Sequence, residues 1–114
     1  MAIGEPLVRL KMPNAMFTFY TAPASPAAIR IDIRSITFAN KDEDVRPRVW
    51  LYLVSVGDSP SEDNGLIEGT EQWRVPEGRN IDYDTWKVLK PGGTIQGYSD
   101  GNVTLFIDGA VWKS

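Results

Sequence analysis

The sequence has 114 residues, enough for one domain, with 42% apolar residues and a net charge of −3. It holds no Cys and no His, which excludes disulfides and thiolate metal sites and removes the commonest general base, metal ligand and near-neutral pH switch. The mixed charge offers no basic face for phosphates, no apolar run reaches bilayer length, and Met1 to Pro6 lacks the basic and apolar regions of a signal peptide.

Residues 1–15 read as an extended arm. Val8, Leu10 and Met12 alternate there with Arg9 and Lys11. No partner strand lies nearby in sequence, so the arm is expected to add to the sheet edge of a neighbouring subunit; lying along its own domain is the alternative. From residue 16 to 114 the helix template fails, because no three-turn window keeps apolar residues at i, i+3, i+4 and i+7 without Gly or Pro. Period two prevails instead. Met16 to Thr21 is a short aromatic run closed by Pro23 and Pro26. In Ala28 to Phe38, Ile29, Ile31 and Ile33 share one parity and Ile36 and Phe38 the other. A slip of one residue flips the apolar face, so a β-bulge or bend is expected near Ser35.

A charged turn at Asn40 to Asp44 leads to Arg48–Val56, apolar on both parities. Such a strand is central in the fold or has one face against a partner. Gly57 to Gly65 is a polar loop, and weaker strands follow around Glu71 to Val75 and Asn80 to Tyr83. Trp86 to Lys90 precedes Pro91-Gly92-Gly93, which is turn chemistry. Thr94 to Ser99 and Asn102 to Ile107 flank Asp100-Gly101, a strong hairpin signal. Asp108-Gly109 reads as a bulge inside a strand running on to Trp112. The fold expected is all-β, an antiparallel β-sandwich of about seven or eight short strands, either a jelly roll or an immunoglobulin-like sandwich.

Few constellations rise above the surface chemistry of an acidic protein. Asp58, Glu62, Asp63 and Asn64 lack the alternating spacing of a calcium loop, so they read as a solvated turn. Asp82 and Asp84 have the residue type of a glycosidase pair, but carboxylates are common on any acidic surface. The tryptophans carry more weight. Trp50 is expected in the core, whereas Trp73, Trp86 and Trp112 lie in weaker or terminal segments where a partner or a sugar ring can meet them. Candidate interface residues are therefore Val8, Leu10, Met12, Trp73, Trp86 and Trp112. No catalytic, cofactor or metal site is expected.

The order of segments is also familiar: Tyr20-Thr-Ala-Pro, a strand leading to Asn40, Tyr52-Leu-Val, and Pro91-Gly-Gly-Thr-Ile-Gln-Gly97. From about Tyr20 to Val111 it resembles a loose group of small β-sandwich virion proteins of tailed bacteriophages. The charged segment Lys41 to Arg48 departs from it, since relatives tend to be small and polar there. The resemblance implies a non-enzymatic particle component made in the host cytoplasm and resident in the virion. Its role there is a capsid decoration (cement) protein on the major capsid protein, or a tail, collar or baseplate accessory. A trimer or another small symmetric homo-oligomer is expected, with neither nucleic acid nor membrane as partner; a host-glycan-binding module is the alternative.

Overall fold

The computed structural model describes residues 2–23, 30–42, 44–61, 65–68, 75–76 and 78–112, with side chains described for these except 2–5, 66–68 and 83–86. Eight strands follow in order: β1 (Ala2–Lys11), β2 (Phe17–Thr21), β3 (Arg30–Asn40), β4 (Val49–Val54), β5 (Gly65–Glu68), β6 (Asn80–Leu89), β7 (Thr94–Ser99) and β8 (Val103–Trp112). They form two four-stranded sheets. Sheet A has the order β1-β8-β3-β6 and sheet B the order β2-β7-β4-β5, and every ladder is antiparallel.

That order is the jelly roll, which settles the choice against an immunoglobulin-like sandwich. Its pairing is nested: β1 with β8, β2 with β7, β3 with β6, β4 with β5. The chain is thus one long hairpin, bent at the β4–β5 loop and rolled until β8 meets β3 and β7 meets β4. Period-two side chains then bury one face of each sheet against the other. Ile33, Ile36, Phe38, Leu105 and Ile107 of sheet A meet Val49, Leu51 and Ile95 of sheet B in one cluster. All eight are fully buried. Each is worth about 1.5–3 kcal/mol for the area it removes from water.

The parity slip in β3 is resolved as expected. Its register shifts between Ile33 and Ser35 against both neighbours: Arg34 is the extra residue against β8, whereas against β6 positions 85 and 86 together face it. Ile31, Ile33, Ile36 and Phe38 consequently all reach the core despite their opposite parities. β1 carries a matching irregularity, with Leu7 extra between Pro6 and Val8. Both extra residues flank Asp108 of β8, which runs through without a break. Gly109 makes this close approach feasible: a Cβ there would sit 2.1 Å from the carbonyl oxygen of Asp32. β8 therefore runs on to Trp112 as one strand, as expected, but the bulge expected at Asp108-Gly109 lies in its neighbours β1 and β3 at that level.

Other expectations are corrected. The N-terminal arm pairs with β8 of its own chain, from Ala2 opposite Trp112 to Lys11 opposite Thr104. Its apolar alternation does need burial, but the partner comes from the far end of the described sequence, where local reading finds nothing. Asp100-Gly101 reverses the chain without making a hairpin, because β7 and β8 lie in opposite sheets. Its turn chemistry is spent on a sheet crossing. The weak segments Asn80 to Tyr83 and Trp86 to Lys90 fuse into the single strand β6. In the stretch read as Glu71 to Val75, residues 71–74 lie outside the described residues, and Val75 is a buried loop residue. The turn at Pro91 behaves as expected: Gly93 N–H donates to the Lys90 carbonyl at 3.0 Å, and Gly92 has φ 81°, as position three of a type II turn requires.

At one pole of the sandwich the loops are tied through Asn40, which is 3% exposed. Its Nδ2 donates to the carbonyls of Val45 (2.8 Å), Val75 (3.2 Å) and Pro76 (3.1 Å), and its Oδ1 accepts from Asp42 N–H at 2.9 Å. A buried amide satisfied on every side orders the loops around it.

Candidate functional site

The outward faces of the sandwich are where side chains remain free to meet a partner. In β4, Val49 and Leu51 are buried while Trp50 and Tyr52 point outward and are half-buried. Trp50 stands opposite Tyr98 of β7, and their rings stack 4.5 Å apart at 8°. The Arg48 guanidinium lies 5.2 Å from the Trp50 ring centroid. Arg48 is itself held by Asp100, whose carboxylate accepts the Arg48 backbone N–H at 2.7 Å and Nε at 2.9 Å. Trp50, expected in the core, thus belongs to an exposed row. Its place in the most apolar strand suggested burial, but strand alternation assigns the inner face to Val49 and Leu51, and one strand cannot point adjacent residues the same way.

Close packing beneath this row holds it in place. A Cβ on Gly97 would stand 2.2 Å from the Trp50 carbonyl oxygen, so β4 and β7 approach more closely than any other residue allows. Ser99, fully buried, donates from Oγ to the Arg48 carbonyl at 2.9 Å and accepts from Gly101 N–H at 3.2 Å. The stacked pair contributes about 0.5–1.5 kcal/mol beyond its area and the arginine about 0.5–1 kcal/mol. The ion pair, with side chains 44% and 37% exposed, adds less than about 1 kcal/mol. Positioning outweighs stability here.

Sheet A repeats the arrangement twice on its outer face. Arg9 pairs with Asp108 at 2.9 Å and lies 5.3 Å from the Phe106 centroid. Arg30 pairs with Asp32 at 3.1 Å and lies 4.6 Å from the Trp112 ring. The Asp32 carboxylate is nearly buried, and both of its oxygens are used: Oδ1 accepts from Arg30 Nε and Oδ2 from Trp112 Nε1 at 2.6 Å. A buried carboxylate is tolerable when it is paired in this way. Three arginines, each pinned between a carboxylate and an aromatic ring, therefore mark the two faces.

The expected interface residues fare differently. Val8 and Met12 are buried in the chain's own core, at 4% and 1% exposure, which corrects their assignment to a partner. Leu10 is 40% exposed, although its position opposite the fully buried Leu105 directs it inward at the margin of the sandwich. Trp112 is half-buried and latched to Asp32. Trp73 lies outside the described residues, and Trp86 is placed only by its backbone in β6. Sequence reading missed Arg48, Tyr98 and Asn40; the alternation of Trp50 and Tyr52 with Val49 and Leu51 was the signal available. Asp82 accepts from Thr37 Oγ1 at 2.8 Å on the outer face of β6, in register two positions from Asp84. Among the described residues no group of three or more acidic side chains gathers to hold a metal.

The fold and these faces define an eight-stranded jelly-roll domain. Comparison of the chain with protein-family models, with curated proteins and with solved structures gave no match.

Proposed function

We propose that this chain is a structural protein of a bacteriophage virion, and specifically a capsid decoration protein that binds the assembled head through protein–protein contacts. The observation that carries the reading is the strand order, since the jelly roll is an architecture of viral capsid domains. Its outer faces agree with it: Arg48, Trp50, Tyr52 and Tyr98 are of the types that anchor protein interfaces. A fold alone does not fix a role. The resemblance of segments from Tyr20 to Val111 supports a particle component, with a tail, collar or baseplate accessory as the alternative post. Decoration stabilises by mass action, because a protein that binds only the mature lattice lowers its free energy, by about 2.7 kcal/mol per site at a hundred times Kd.

A glycan-binding reading has one observation of its own. Lectins also use the jelly roll, and Trp50 and Tyr98 are only half-buried. Their stacking on each other leaves less ring surface for a sugar. Co-sedimentation of the purified chain with mature heads, immature heads and isolated tails tests the proposal, with tryptophan emission titrated against host polysaccharide in parallel. Retention on mature heads alone is expected. Binding to tails alone moves the role to the tail, and quenching by polysaccharide with no particle binding replaces decoration by glycan recognition.

A further inference from the structure

We propose that copies of this chain join edge to edge, β6 of one copy adding to β1 of the next, so that sheet A continues across subunits. β1 and β6 are the two edges of sheet A, and each is 10 residues long. Strand directions alternate across the sheet, so β6 runs antiparallel to β1. A neighbour in the same orientation therefore meets β6 with an antiparallel β1, and the alternation carries on unbroken.

Charge selects the register. Arg9, Phe106, Thr37 and Asp82 form one row across the outer face, a cation at one edge and a carboxylate at the other. Lys11, exposed, follows Arg9 on β1, and Asp84 occupies the strand position two residues from Asp82. One antiparallel register sets Arg9 against Asp84 of the next copy and Lys11 against its Asp82. Opposite charges directly across a ladder attract and like charges repel. Arg9 uses one nitrogen on Asp108 and keeps further donors for a second carboxylate. The same register sets strand position 83 of the next copy opposite Leu10.

Backbone irregularities agree with that register. Pro6 and the extra Leu7 interrupt β1, and edge prolines and bulges ordinarily block addition. Arg9 to Lys11 fall opposite residues 82–84, inside the stretch Asn80 to Asp84 where β6 keeps regular pairing with β3, and Val8 falls opposite position 85, at the irregularity. The contact is heterologous, edge against a different edge, so it closes into a ring when the rotation per subunit allows.

Sedimentation velocity of the full chain across a concentration series tests this with charge reversal. Arg9→Glu with Lys11→Glu, and separately Asp82→Lys with Asp84→Lys, each weaken self-association by about a hundredfold. An equimolar mixture of the two variants restores it, because each then offers the edge that the other needs. Circular dichroism verifies that both variants fold; if either does not, hydrogen exchange on the unaltered chain decides, with amides of 8–11 and 82–85 gaining protection as concentration rises. A monomer at every concentration, an oligomer indifferent to reversal, or folded variants whose mixture stays apart overturns the proposal. This inference deepens the virion reading but fails separately from it. A monomer that still binds heads sinks only the edge pairing, and an edge-paired oligomer that binds no particle sinks only the decoration role.

Discussion

Replacing Asn40 by Asp changes one –NH2 for an oxygen and leaves the side chain's shape intact, so it isolates the polar network at the loop pole. The wild-type amide donates to three carbonyls, of which the bond to Val75 is buried and those to Val45 and Pro76 are partly buried. Losing the donor to a buried acceptor costs about 1–3 kcal/mol, and the two partly hydrated acceptors add roughly 0.5–1 kcal/mol each. A carboxylate facing three carbonyl oxygens adds repulsion, and a total near 3 kcal/mol is expected out of a typical ~5–15 kcal/mol. With a urea m-value of about 2 kcal/mol/M, the midpoint should fall by about 1.5 M at neutral pH. Burial and the facing oxygens disfavour the charged form, so the pKa of Asp at this position is raised in the folded state. The native variant then binds more protons than its unfolded chain, and the charge-related penalty grows as pH rises through and above the ordinary carboxylate range and eases in acid. Urea titrations of both proteins at neutral and mildly acid pH measure the difference. A loss under about 0.5 kcal/mol, or one that does not change with pH, refutes the role given to Asn40.

The corrected placement of the N-terminal strand is checked by contrast: Met12→Ala should cost about 2–4 kcal/mol in thermal or urea unfolding, whereas Leu10→Ala should cost less than about 1.5 kcal/mol. Equal effects would mean that Met12 is not in the core. Gly97→Ala and Gly109→Ala should each destabilise by about 1–3 kcal/mol, because the obstructing atom is a backbone carbonyl with little room to yield. Wild-type melting temperatures would contradict the close strand approach. A double-mutant cycle on Trp50→Ala and Tyr98→Ala should return a coupling of about 0.5–1.5 kcal/mol, with additivity as the contrary result.

What was legible in the sequence was whatever alternation encodes. The parity change at Ser35 announced the bulge in β3 because four apolar residues on two parities can share a core only through an extra residue. Gly109 marked a close approach in β8 for a related reason, since a residue without Cβ inside a strand signals another backbone close by, but the extra residues lie in β1 and β3. What stayed hidden depends on distant partners. β1 looked like an arm because β8 is remote in sequence, and Asp100-Gly101 looked like a hairpin because a tight turn does not say which sheet receives the next strand. β5 has only four residues, too few for a period to register. Of the outer faces, Trp50 was misassigned because its strand is apolar on both parities, which hides the face that each residue takes. Tyr98 became part of that face only when β7 was seen beside β4.

The nested pairing has a consequence for how the chain comes into being. Among the described strands only the β4–β5 ladder joins neighbours in sequence, so the least costly loop to close lies in the middle. Each further ladder, β3 with β6, β2 with β7, β1 with β8, closes a longer one. A zipper starting at mid-chain and running outward is the route of least entropy, slow as non-local β folds are. On a ribosome, which delivers residues in one direction, β1 emerges before β8 and must wait for it. Until then Val8 and Met12 lack the β8 side of their core, and β1 is the described strand left longest open to premature association.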